Sequence, residues 1–137
     1  MSERKYDLED RLLGYAACII HLVEKMPNTR AANHVGGQLL RSGTAPLFNH
    51  GEAQSAESPN DFVHKMKICL KELRESQRAL RLIAKTLLND DVADIGSLLR
   101  QTDELIRIFV ASIRTAESNK VREKTEEGYE VSFDVRC

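Results

Sequence analysis

The chain has 137 residues, which suits one domain with a core that needs no metal or disulfide staple. A net charge of −1 argues against a nucleic-acid binder that is basic throughout, although a local basic patch stays open. Cys18, Cys69 and Cys137 are odd in number and far apart, form no CxxC pair, and read as reduced thiols of a cytoplasmic protein.

Composition fixes the material of the core. Apolar residues make up 42% of the chain but aromatics only 5%, with no Trp, so Leu, Ile, Val, Ala and Met must fill the interior. No apolar stretch approaches the roughly 20 residues that a membrane helix needs. The charged start, Met1 to Asp10, is not followed by an apolar run long enough for a signal peptide.

Leu8, Leu12, Tyr15, Ile19, Leu22 and Met26 recur at spacings of three and four, which predicts a first helix closed by Pro27. Leu13, Ala16, Ile20 and Val23 widen its apolar stripe, so more than one neighbour is expected. A second helix begins near Asn28 or Thr29. It is rich in small residues and carries Val35, Leu39 and Leu47 on one face, broadened by Leu40 and Phe48. Pro46 cannot donate to the carbonyl of Ser42 and clashes with it, which predicts a bend or break.

Ser58-Pro59-Asn60-Asp61 is a helix start, with a capping serine, proline at the first helical position and a capping-box acid. The third helix is predicted to run to about Asn89. Its stripe is Phe62, Met66, Cys69, Leu73, Leu80, Ile83 and Leu87, with one polar gap at Ser76 or Gln77 and a period near 3.5. Cys18 and Cys69 fall in apolar patterns and are expected in the core. After a turn at Asn89-Asp90-Asp91, the fourth helix carries Ile95, Leu98, Thr102, Leu105, Phe109 and Ile113 and is expected to fade near Asn119. The reading is an all-α, antiparallel up-down-up-down four-helix bundle over residues 1–119. Residues 120–137 form a charged tail, in which Tyr129, Val131, Phe133 and Val135 alternate with polar residues and read as extended or disordered.

Two residue sets stand apart from the core. Lys67, Lys71, Arg74, Arg78, Arg81 and Lys85 recur at spacings of 4, 3, 4, 3 and 4. They predict a basic ridge roughly 27 Å long that could follow a phosphate backbone. An ordinary solvated shoulder, or pairing with Asp94, Asp103 and Glu104 across a helix or subunit contact, explains the same spacing. The second set is Gln38, Arg41, Asn49 and Glu52 with Glu72 and Glu75. These six could form a polar network that fixes how helices or subunits meet, because a buried charge requires a partner.

No catalytic set emerges. His21, His34, His50 and His64 are scattered, no ExxH or HExxH occurs, and there is no GxSxG elbow or phosphate-binding glycine loop. Neither a metal nor another cofactor is expected.

The run Gly37-Gln-Leu-Leu-Arg-Ser-Gly-Thr-Ala, then Asn49-His-Gly-Glu-Ala, then Ser58-Pro-Asn-Asp-Phe with Lys65, Lys71, Glu72 and Glu75, resembles the four helix bundle protein family. That family is also called the 23S rRNA intervening-sequence protein family. The chain departs from its pattern at Ala45-Pro46, where Ser-Val or Ser-Ile is common, and at Ala79, where Trp is frequent. The resemblance implies a ring-shaped homopentamer without an established biochemical role. The related accessory variability determinant proteins imply RNA or DNA and a reverse transcriptase as partners. Residues and resemblance together lead to a non-enzymatic, homo-oligomeric scaffold or accessory protein, with nucleic-acid binding through the third-helix ridge as the alternative.

Overall fold

The computed structural model describes residues 7–86 and 92–126. They form four helices: α1 (Leu8–Glu24), α2 (Arg30–Gln54), α3 (Pro59–Thr86) and α4 (Val92–Glu126). The start signals act as read. Asp7 caps α1, its carboxylate accepting from the Asp10 amide at 3.3 Å, and the Thr29 hydroxyl caps α2 by accepting from the Ala32 amide at 3.1 Å. At α3 the capping is reciprocal: Ser58 accepts from the Asp61 amide at 3.0 Å, while the Asp61 carboxylate accepts from the Glu57 amide at 3.4 Å.

Successive helices are antiparallel neighbours. Ile19 of α1 meets Gly43 of α2, while Val23 and Met26 further along α1 meet Gly36 earlier in α2. Ser42 pairs with Ser76 and Glu52 with Lys65, so α3 runs back along α2. Arg11–Glu104 and Lys25–Asp94 join α1 to an antiparallel α4. α2 packs most extensively on α3, and α1 meets α4 only lightly. The chain is therefore an up-down-up-down four-helix bundle. Among the described residues no helix is long and apolar enough to cross a membrane.

The stripes close on one interior built from Leu12, Ile19, Leu39, Leu73, Leu80, Ile83, Leu105 and Phe109, all of them buried. Full burial of each large aliphatic or aromatic side chain is worth about 1.5–3 kcal/mol. This interior is what holds four helices of mixed propensity together.

Five expectations change. α2 continues through Pro46 without a break. Pro46 is buried and its carbonyl accepts from the Cys69 thiol at 3.6 Å, so tertiary packing on α3 overrides the local penalty. Phe62 is only half-buried, and Val63 beside it takes the core position. Cys18 is exposed, because it lies about 100° round the helix from Ile19, which is fully buried. Leu13, Ile20, Leu40 and Phe48 do not widen the core either; they face outward. α4 continues to Glu126, past Asn119. The Asn89-Asp90-Asp91 turn, Leu87 and the alternating Tyr129–Val135 segment lie outside the described residues.

Candidate functional site

All six cations of the predicted ridge are exposed along one side of α3. Lys67 pairs with Glu117 of α4 at 3.2 Å, and Lys71 stands 3.9 Å from Glu72. Among the described residues, Arg74, Arg78, Arg81 and Lys85 make no ion pair. The acids that could have neutralised them are engaged elsewhere: Asp94 with Lys25, Glu104 with Arg11, and Asp103 with Arg107 on its own helix. Four guanidinium and ammonium groups thus stand together on the outer face of α3 with solvent as their counter-charge, a local field on a near-neutral chain.

The second predicted set lies along the outer α2–α3 edge. Gln38, Arg41, Glu52 and Glu75 are exposed, and Asn49 and Glu72 are half-buried. Within one chain they do not bond to one another. Asn49 donates to the Ala45 carbonyl at 3.0 Å, and Glu52 accepts from Lys65 at 2.7 Å, which raises the Lys65 pKa. The physical reason is phase: Leu39, Ser42, Gly43, Pro46, His50 and Ala53 take the inward positions of α2. Beside this edge, His34, Val35, Gln38, Ser42, Glu75 and Arg78 border an open groove of about 330 Å³.

The polar network inside the bundle is a different one, with one hydroxyl from each helix. Tyr15 of α1 meets Thr102 of α4 at 2.6 Å, and Ser42 of α2 meets Ser76 of α3 at 2.8 Å. Thr102 donates to the Leu98 carbonyl at 2.6 Å, so its single hydroxyl proton is committed and Tyr15 is the donor between them. Ser42 also donates to the Leu39 carbonyl at 3.4 Å, so the layer consists of two hydroxyl pairs, each tied to a backbone carbonyl of its own helix. Burial pushes the Tyr15 phenol up, and its polar neighbours Thr102 and Ser76 oppose the shift in part. The polar gap at Ser76 was the sequence trace of this layer; its partners sat unmarked inside apolar stripes.

Reactive groups are few and quiet. Burial pushes the Cys69 thiol up to about 12, which leaves it protonated and unreactive. His50 is buried with its ring edge-on to Phe109 at 6.3 Å, its Nδ1 has no hydrogen-bond partner, and burial lowers its pKa. It borders an open hollow at one end of the bundle with Asp7, Glu9 and Asp10. Among the described residues no three His, Cys, Asp or Glu side chains come together to hold a metal ion.

A further surface was not singled out from sequence. Leu13 is 55% exposed, Ile20 41%, Leu40 36% and Phe48 66%. All four lie on the α1–α2 side. Gly36 and Gly43 on that flank of α2 meet Val23, Met26 and Ile19, while the ion pairs to α4 leave α1 from its other flank.

No protein-family model matches the chain, and no curated protein does. Among solved structures, it is similar to a protein of unknown function from the S23 ribosomal protein family of Bacteroides thetaiotaomicron VPI-5482. The two are 29% identical, with a TM-score of 0.73 over 78% of this chain and 98% of the other. That likeness agrees with the four-helix bundle and assigns no activity.

Proposed function

We propose that this protein is a self-assembling, non-enzymatic helical-bundle scaffold or accessory protein of the cytoplasm. The observation that carries the reading is the outward α1–α2 side, which gathers four of the six large apolar side chains that are exposed among the described residues, Leu82 and Val121 being the others. Apolar patches of this kind mark contact surfaces on folded proteins. The polar edge of Gln38, Arg41, Asn49, Glu52, Glu72 and Glu75 offers a second contact surface, on which charges left apart in one chain can pair across copies. The ring of five implied by the resemblance is one form of this reading. Light scattering with a mass readout tests it: a particle larger than one chain is expected at micromolar concentration, and a strict monomer contradicts it.

A second reading rests on the ridge. Arg74, Arg78, Arg81 and Lys85 are positioned to meet phosphates, so the protein would act on RNA or DNA, with a polymerase such as a reverse transcriptase as a protein partner by analogy. A salt titration of binding to duplex DNA and structured RNA tests it. Arg74→Ala/Arg78→Ala/Arg81→Ala should flatten the slope of log affinity against log salt by about 2–3 units if each arginine meets a phosphate. No binding at low salt removes this reading.

A further inference from the structure

Arg78 belongs to two surfaces at once. It is a cation of the α3 ridge, and it also lines the groove between α2 and α3. Val35, Ala79 and Leu82 supply the apolar lining of that groove, and Leu82 is still 48% exposed there. Gln38, Glu75 and Arg78 supply polar groups, and all three are exposed. The volume of about 330 Å³ lies at the low end for small-molecule sites. Such sites run from roughly 300 to 1,000 Å³ and set a few polar groups beside apolar walls.

The polar groups of the groove are not engaged inside the chain. Among the described residues Gln38, Glu75 and Arg78 make no ion pair and no side-chain hydrogen bond. Glu75 and Arg78 stand three residues apart on one helix, a spacing at which opposite charges can meet, yet they do not pair. A carboxylate with two acceptor oxygens and a guanidinium with a fork of donors are thus left side by side next to an apolar surface. The Ser42 hydroxyl is already bonded to Ser76 and to the Leu39 carbonyl, so recognition falls to the other three.

A ligand that uses all of this has paired donors beside paired acceptors on one flat, apolar body. Guanine has that pattern. Its N1–H and exocyclic amine offer two donors to one carboxylate, while O6 and N7 accept from a guanidinium fork. Adenine and cytosine carry a single amine beside an acceptor, and uracil a single imide N–H, so each leaves one carboxylate oxygen unserved. The ring would lie on the apolar lining, with the His34 imidazole at the groove's border as a plane to stack on. The base must be unpaired, because a duplex already occupies those donors. Its strand has a track beside it: Arg74 and Arg81 stand within about 6 Å along the axis on either side of Arg78, placed for the neighbouring phosphates. Glu75 would repel a phosphate, so the groove suits a base and the ridge suits the backbone.

We infer that the α2–α3 groove takes one unpaired guanine base of a single-stranded nucleic acid whose phosphates lie along Arg74, Arg81 and Lys85. The inference rests on the ridge reading and deepens it by naming the base. The groove lies on the flank of α2 away from α1, so a particle assembled through the apolar α1–α2 side leaves it open. Fluorescence anisotropy of the full chain at low salt tests it. The probes are a short oligouridylate with one central guanosine, the same strand with adenosine or cytidine there, the all-uridine strand and a duplex. The guanosine strand should bind roughly tenfold tighter than the others. Glu75→Gln should bring it level with them while keeping the salt-dependent binding common to all. Ala79→Trp, which fills the groove, should do the same. Because Glu75 is exposed, its variant keeps the fold even where the tryptophan does not fit. Equal binding of all strands by the wild type overturns the base site and leaves the ridge standing. A preference for another base, or one that survives Glu75→Gln, overturns it too. So does a Glu75→Gln chain that changes particle mass but not base preference, as a groove covered by a second copy would give. No binding of any strand overturns the ridge reading as well.

Discussion

The two long sides of this bundle are built on opposite principles. Along α3 the exposed positions carry six cations, four of them without an ion pair among the described residues. Along the outward α1–α2 side, Leu13, Ile20, Leu40 and Phe48 are exposed large apolar side chains. Both sides enclose the same core, and neither surface is required by it. A bundle of this length needs one apolar stripe per helix. What it does with the remaining faces is where chains of one fold diverge.

The glycines give the sharpest way to break this comparison. Gly43→Ala forces a Cβ against the stiff, fully buried Ile19, so it should destabilise the fold by roughly 1–3 kcal/mol. Chemical denaturation of the two chains measures it. Next in size, Tyr15→Phe should cost about 1–3 kcal/mol by removing the buried hydrogen bond to Thr102. Neither change touches an outer face, so both should leave association and polyanion binding intact wherever the fold persists. Gly37→Ala should move stability the other way, upward by roughly 1 kcal/mol at most, since it adds a methyl to open space in a helix. A loss there would mean that Gly37 serves the interior after all.

On the charged side, replacing Arg74, Arg78 and Arg81 with alanine should move folding stability by no more than about 0.5 kcal/mol per site, as exposed, unpaired residues do. A larger loss would make the ridge a structural element. The smallest effect concerns pH. Burial lowers the His50 pKa below its ordinary 6.5, so the unfolded chain takes up a proton before the folded one does. Stability from this group is present above about pH 6.5 and is lost as pH falls towards the lower, folded-state value. His50→Gln should flatten that part of a stability–pH curve.

Much of the fold was legible because it rests on local, periodic chemistry. The caps at Thr29 and Ser58 and the stripes through Ile19, Leu73 and Phe109 announce themselves by spacing, and the bundle follows. The errors share one cause. Leu13, Ile20, Leu40 and Phe48 are as apolar as the core residues next to them, and sequence alone ties apolar character to burial, so an outward apolar face is read as a wider inward one. Pro46 misled in the reverse sense, because packing against Cys69 holds a helix that propensity would interrupt. Of the candidate sites, the α3 ridge was visible because charge periodicity survives in sequence. The hydroxyl layer was not, since four single residues on four helices carry no shared pattern until the helices are aligned.

The central claim is that this bundle acts through a surface that another copy of itself covers. Native mass spectrometry of the full chain, sprayed from micromolar solution, addresses it most directly. The account predicts a dominant species at a multiple of 15.5 kDa, dispersed by Phe48→Glu. A dominant species at the mass of one chain, with the wild-type helical spectrum, would contradict it.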